Sequence, residues 1–197
     1  LPVRLLAPNY SGGVSDGQRN GTPQMRYSLI GRETTNDGLS LHFEGSDIRG
    51  LVAVVACDKP PVGATAAIME RNVPAVVLSD GSIRPGTDPL TGETIDLVSC
   101  FQVAGDPDAD KRERWARNAC PGHGSCGGMF TYNTMQSFIA LLGLEPLHMV
   151  SPGSEDPRRT EEFPEQAVDC LEIMTQRGIT PRDIATPTAF RNATIVA

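Results

Sequence analysis

Two short, unbroken apolar runs stand out along the chain, Leu51 to Val55 (LVAVV) and Ala75 to Leu78 (AVVL). Runs of this length without polar alternation predict strands covered on both faces, as in parallel sheets. Strands are therefore expected at residues 51–55 and 73–79. Between them, residues 63–71 hold the helix formers Ala64, Ala66, Ala67, Ile68 and Met69. Strand, helix and strand with a short crossover predict a right-handed βαβ unit and a parallel sheet. Pro60, Pro61 and Gly63 are expected to keep both strand and helix from running through them.

Elsewhere the apolar positions recur at helical spacing, except over residues 25–43, where they are loosely spaced. Met25, Leu29, Leu39 and Leu41 predict a helix over residues 25–43, despite Gly31 and Gly38, and a turn at 47–50 then leads into the first strand. Met135, Phe138, Ile139 and Leu142 predict a helix over 129–143 closed by Gly143, and Ala167, Leu171 and Met174 predict one over 164–177 closed by Gly178. Pro181 marks a further helical start. Residues 106–118, acidic first and basic later as the helix dipole prefers, read as a solvated surface helix, and residues 80–93, rich in glycine and proline, as a loop. The expected fold is α/β, a three-layer α/β/α arrangement around a mostly parallel central sheet, with all 197 residues in one domain.

Charge and cysteine content narrow the function. A net charge of −7 with no basic run argues against a nucleic-acid partner, while a small acidic substrate stays compatible. No apolar segment approaches the roughly 18 residues that cross a bilayer, and the first residues lack the order of a signal peptide, so a cytoplasmic protein without membrane contact is expected. The opening at Leu1, without methionine, reads as a processed or excised piece. Five cysteines at irregular spacing predict reduced thiols, and with no paired CxxC and no helical repeat among His42, His123 and His148, zinc is disfavoured.

Chemistry concentrates at loops. Cys57, Asp58 and Lys59, a soft ligand, a hard ligand and an amine, follow the first strand at its carboxyl end, where open α/β sheets bind their ligands. Two readings stay open there: a ligand site, or Cys57 as a small buried hydrophobe and Asp58 as a helix cap. Asp16, in the glycine-dense stretch YSGGVSDG, is either a ligand or part of an Asp-Gly turn. Residues 120–128 form a loop with four glycines that carries Cys120 and Cys126. Cys126 would lie just before a helix N-terminus, where free N–H groups and the dipole lower a thiol's pKa and prime it as a metal ligand or nucleophile. Two thiols with two carboxylates make a site soft on one side and hard on the other; thiolates suit iron–sulfur and carboxylates suit magnesium.

GVSDG, MRYSLIGRE, CDKPPVG and CPGHGSCGGMFTYNTM followed by ALLGL occur in that order over nearly the whole chain. Together they resemble the dihydroxy-acid dehydratase and phosphogluconate or sugar-acid dehydratase family. The resemblance implies a hydro-lyase that removes water from a 2,3-dihydroxy carboxylate or sugar acid, giving a 2-keto acid with the help of a 2Fe–2S cluster and Mg2+. It implies Cys57 and Cys126 as two of three cluster ligands, and Asp16 and Asp58 as magnesium ligands. Lys59, carbamylated, would be both a metal ligand and a catalytic residue.

The chain also departs from that pattern. Nothing before Asp16 is a cysteine, whereas the family's first cluster cysteine lies upstream of GVSDG. The family's proton-abstracting serine lies in a carboxyl-terminal domain that this chain stops short of. The expected partners are thus that domain, a second copy of the chain and a small hydroxy-acid substrate, and the chain alone is expected to fold without activity or cluster. The rival reading is a non-catalytic binding or assembly module on the same fold. Pro60 and Pro61 stand where the family more usually has Thr-Pro, which removes a hydroxyl and leaves open whether the substrate is a branched-chain or a sugar acid. Cys100 and Cys170 read as buried structural thiols, Cys120 as a structural or spare one, and His123 as a hydrogen-bond donor or a loop cap.

Overall fold

The structure, a computed structural model, describes residues 14–197. A short α1 (Asp16–Arg19) and a 3-10 turn at Pro23–Arg26 lead into the long α2 (Tyr27–Ser46). Asp47, left-handed at φ 48°, ends it, and the chain enters β1 (Leu51–Val55). Next comes α3 (Lys59–Arg71), which starts four residues ahead of the expected start. The prolines do not exclude the helix; they open it. In a first turn the missing N–H has no helical partner to lose, and the fixed φ is already helical. Asn72, at φ 54°, closes α3 before β2 (Ala75–Ser79).

β1 and β2 pair in parallel from Leu51 opposite Ala75 to Val55 opposite Ser79, the expected βαβ unit. The architecture is α/β with a small parallel sheet of these two strands. A separate antiparallel pair, β3 (Gly86–Thr87) and β4 (Thr94–Ile95), begins inside the segment read as a loop. β2 is buried throughout, while Val54 of β1 is 71% exposed.

After β4 comes α4 (Leu97–Gln102), which the apolar spacing did not predict; Asp96 caps it by accepting the Ser99 N–H at 2.8 Å. In α5 (Ala109–Asn118) the reading as a solvated helix needs correction. Trp115 is buried and its Nε1 donates to buried Asp88 at 2.8 Å, while Arg114 Nε donates to the same carboxylate at 2.7 Å. That guanidinium holds the Asp88 carboxyl well below the usual carboxylate range, and the ion pair fixes α5 against the loop between β3 and β4. The remaining elements are α6 (Thr131–Leu141), α7 (Arg158–Glu161), α8 (Phe163–Arg177), α9 (Pro181–Ile184) and α10 (Pro187–Val196). Gly178, at φ 65°, caps α8 as expected.

Alternation along the strands divides the core. Ala53, Val55, Ala75 and Val77 pack with Ala64 and Ile68 of α3 and Ile139 of α6. Val76 and Leu78 pack with Phe163, Ala167 and Met174 of α8. The inner face of α2 is built mainly from small and hydroxyl residues. Ser28, Gly31, Thr35 and Phe43 are buried, while Leu29 and Leu41 are exposed. Small residues win because α3 lies so close: a Cβ at Gly63 would meet Arg32 O at 2.4 Å and the Thr35 Cβ at 2.8 Å. Leucines on that seam would force the helices apart.

Candidate functional site

β1 ends at Val55, and two residues, Ala56 and Cys57, separate it from Asp58 at the N-cap position of α3. Cys57 is left-handed at φ 64°, which is unusual for a residue with a Cβ. Asp58 is 5% exposed and its side chain makes no capping bond, so the cap reading is set aside. Instead its Oδ2 lies 2.6 Å from Lys59 Nζ and its Oδ1 accepts from the Cys57 thiol at 3.4 Å. The thiol also lies 3.7 Å from Ser15 Oγ, which brings the stretch around Asp16 to the strand end. The Asp16 backbone opens α1 rather than an isolated turn; its side chain lies outside the described residues. Burial pushes the Cys57 thiol up to about 11, against the Ser15 hydrogen bond, so at neutral pH it keeps its proton unless a metal displaces it.

The second thiol arrives on the loop of residues 120–128. Ser125 bridges to Ser82 as a short parallel strand would: its N–H donates to Gly81 O at 2.9 Å, and its carbonyl accepts from Ile83 N at 2.7 Å. Gly124, at φ 128°, permits this approach, since a Cβ there would lie 2.6 Å from Ser154 Oγ and 2.7 Å from Ile83 N. Cys126 follows, half-buried, its carbonyl accepting from Asn133 Nδ2 at 2.9 Å. α6 starts at Thr131 with Phe130 as its N-cap, five residues past Cys126. The expectation that Cys126 lies just before that helix N-terminus is therefore corrected. What joins the two cysteine loops is a hydroxyl: Ser125 Oγ accepts the Cys57 N–H at 2.8 Å. Cys57, Asp58, Lys59 and the segment of Cys126 thus meet at the carboxyl end of β1.

The other thiols lie apart from this group in role. Cys120 is exposed, Cys100 packs against the Trp115 cluster and Cys170 against the Phe163 cluster. His123 is exposed and acts through its main chain, its carbonyl accepting from Ser154 Oγ at 2.6 Å.

Sequence reasoning missed a polar layer beneath the site. Ser125 Oγ donates to Asp80 Oδ1 at 2.9 Å, and buried Tyr132 OH accepts the Gly81 N–H at 3.0 Å. Deeper, Ser79 donates N–H (3.0 Å) and hydroxyl to Glu145 Oε1, Gln136 donates to the Ser79 hydroxyl, and Arg159 donates to Ser79 O. Glu145 is 2% exposed and its Oε2 has no hydrogen-bond partner among the described residues. Burial raises the Asp80, Glu145 and Tyr132 pKa values. Two signals pointed there: Tyr132 and Gln136, polar groups four apart on the inner stripe of a helix, and Asp80, immediately after the second strand just as Cys57 follows the first.

A family model described as dihydroxy-acid/6-phosphogluconate dehydratase, N-terminal, matches residues 6–197. A dihydroxy-acid dehydratase of Rippkaea orientalis is 38% identical over 93% of this chain and 33% of its own length. A mitochondrial dihydroxy-acid dehydratase of Aspergillus terreus is 39% identical over 93% of this chain and 31% of its own. One of Acaryochloris marina is 37% identical over 93% and 33%. The chain spans about a third of the length of these relatives.

Proposed function

The chain belongs to the dihydroxy-acid/6-phosphogluconate dehydratase family, matching its amino-terminal portion, and from that premise we propose that it carries the metal-binding half of a hydro-lyase site. The reaction removes the C2 proton and the C3 hydroxyl of a 2,3-dihydroxy carboxylate or sugar acid as water; the enol left behind tautomerises to a 2-keto acid. One observation carries the reading: the Cys57 N–H on Ser125 Oγ, which joins the two cysteine loops beside a buried carboxylate and lysine.

The donor set fits the groups this chemistry uses, soft sulfur beside hard oxygen. Cys57 and Cys126 are the proposed ligands of a 2Fe–2S cluster, and Asp16, Asp58 and Lys59 those of Mg2+. When bound, these groups supply a Lewis acid for the departing 3-hydroxyl and a hard cation for the substrate's carboxylate and 2-hydroxyl. Lys59 now neutralises Asp58 as an ammonium; carbamylation replaces that charge with a second carboxylate, an arrangement a divalent cation stabilises. Asp58 is buried and Lys59 half-buried, so water has little access to the pair.

Exposed Leu29, Ile30, Leu41, Val54 and Met129 support the proposed partners, a carboxyl-terminal domain and a second copy of the chain. Relatives named as enzymes give the non-catalytic reading no support. No described helix is long and apolar enough to cross a membrane. The test is a panel of 2,3-dihydroxy acids and aldonates, assayed for 2-keto acid with the protein expressed from its native gene. Turnover is expected on at least one acid, with Asp58→Asn lowering it at least about 100-fold, since even groups behind metal ligands are worth 10–100-fold. No turnover on any acid, or an Asp58→Asn variant as active as the unmodified protein, would sink the reading.

A further inference from the structure

We propose that Ser125, held by Asp80, is a positioning residue that sets the left-handed backbone of Cys57 and its placement relative to Cys126. The inference rests on the site reading above and adds two residues that are not among the proposed ligands. A serine hydroxyl has one proton and two acceptor lone pairs. Here the proton goes to Asp80 Oδ1 at 2.9 Å, which leaves the oxygen to accept the Cys57 N–H at 2.8 Å. Asp80 is itself tied to the first strand, its N–H donating to Val55 O at 3.0 Å. The path from Val55 through Asp80 and Ser125 to Cys57 closes a hydrogen-bonded ring around Ala56.

The anchor does not move independently of the second thiol. Ser125 is pinned on both sides of its backbone, by Gly81 O and Ile83 N, and Cys126 is the next residue. The Cys126 carbonyl is held by Asn133 Nδ2, and Asn133 Oδ1 accepts from Ser82 Oγ at 3.1 Å. Both cysteine loops therefore hang from one segment, residues 80–83, at the end of β2. A left-handed conformation at a residue with a Cβ persists only where the surroundings over-determine it. At Cys57 the bond to Ser125 Oγ reaches across from the other loop.

The test compares unmodified protein with Ser125→Ala, Ser125→Thr, Asp80→Asn and Asp80→Ala, all from the native gene. In metal-free protein, the rate of Cys57 alkylation by iodoacetamide, read by peptide mass spectrometry with Cys170 as internal reference, reports the loop directly. Ser125→Ala and Asp80→Ala should raise the Cys57 rate about two- to tenfold, the ratio given by losing one ordinary hydrogen bond, with unchanged far-ultraviolet dichroism. Ser125→Thr and Asp80→Asn, which keep the hydroxyl and its acceptor, should stay near the original rate. After anaerobic reconstitution, the alanine variants should also show an altered paramagnetic resonance spectrum of the reduced cluster, and Ser125→Thr the original one. An unchanged Cys57 rate in Ser125→Ala would overturn the proposal, as would a threonine variant as reactive as the alanine one. The site reading fails separately, if Cys57→Ser retains full iron content.

Discussion

Glu145 shows how a single buried group governs behaviour far from any ligand. Its Oε1 accepts from Ser79 while Oε2 meets no partner among the described residues, and burial raises its pKa. The folded protein then holds the Glu145 proton more tightly than the unfolded chain, whose value is about 4.3. Stability from this residue is complete below that value and is lost as pH rises through the folded pKa. Unfolding midpoints in urea should accordingly fall as pH rises above about 4.3, and Glu145→Gln should flatten that fall without abolishing it, because half-buried Asp80 is shifted the same way. An identical slope in the variant would show that Glu145 stays ionised inside the protein. Little of this was legible beforehand: Glu145 follows the apolar ALLGL in a stretch with no motif for an acid, and only packing against Ser79 and Gln136 makes it a core residue. That Cys57, Asp58 and Lys59 follow the first strand was legible from the apolar run that ends before them; the left-handed backbone at Cys57 was not.

At the scale of elements, the seam between α2 and α3 is set by how closely the two helices approach at Gly63. Gly63 faces Arg32 O and Thr35 across it, so Gly63→Ala should overpack the seam and cost about 1–3 kcal/mol, measured by chemical denaturation. A neutral or stabilising substitution would mean that α2 yields easily. The apolar pattern found both strands of the parallel pair and the helix between them, since a continuous buried run has one natural reading in a βαβ unit. It left the inner face of α2 unassigned, because small and hydroxyl residues, not leucines, make a close helix contact. It misread α5 too, where one tryptophan and one arginine in a charged helix reach the buried Asp88. Prolines after Lys59 were read as a break, although at a helix's first turn they are a start.

For the molecule as a whole, the central claim is that the carboxyl ends of β1 and β2 bring two thiols and their neighbouring hard ligands into one metal-binding group. Exposed Val54, Leu41 and Met129 mark surface suited to further contacts, which is why the decisive experiment uses the protein from its native gene. That protein should be reconstituted anaerobically with iron, sulfide and magnesium, and its iron and acid-labile sulfide counted per chain beside Cys57→Ser and Cys126→Ser. About two irons and two sulfides per chain in the unmodified protein, with most of both lost in each variant, is the result this account predicts. Iron and sulfide at the unmodified level in both variants would contradict it.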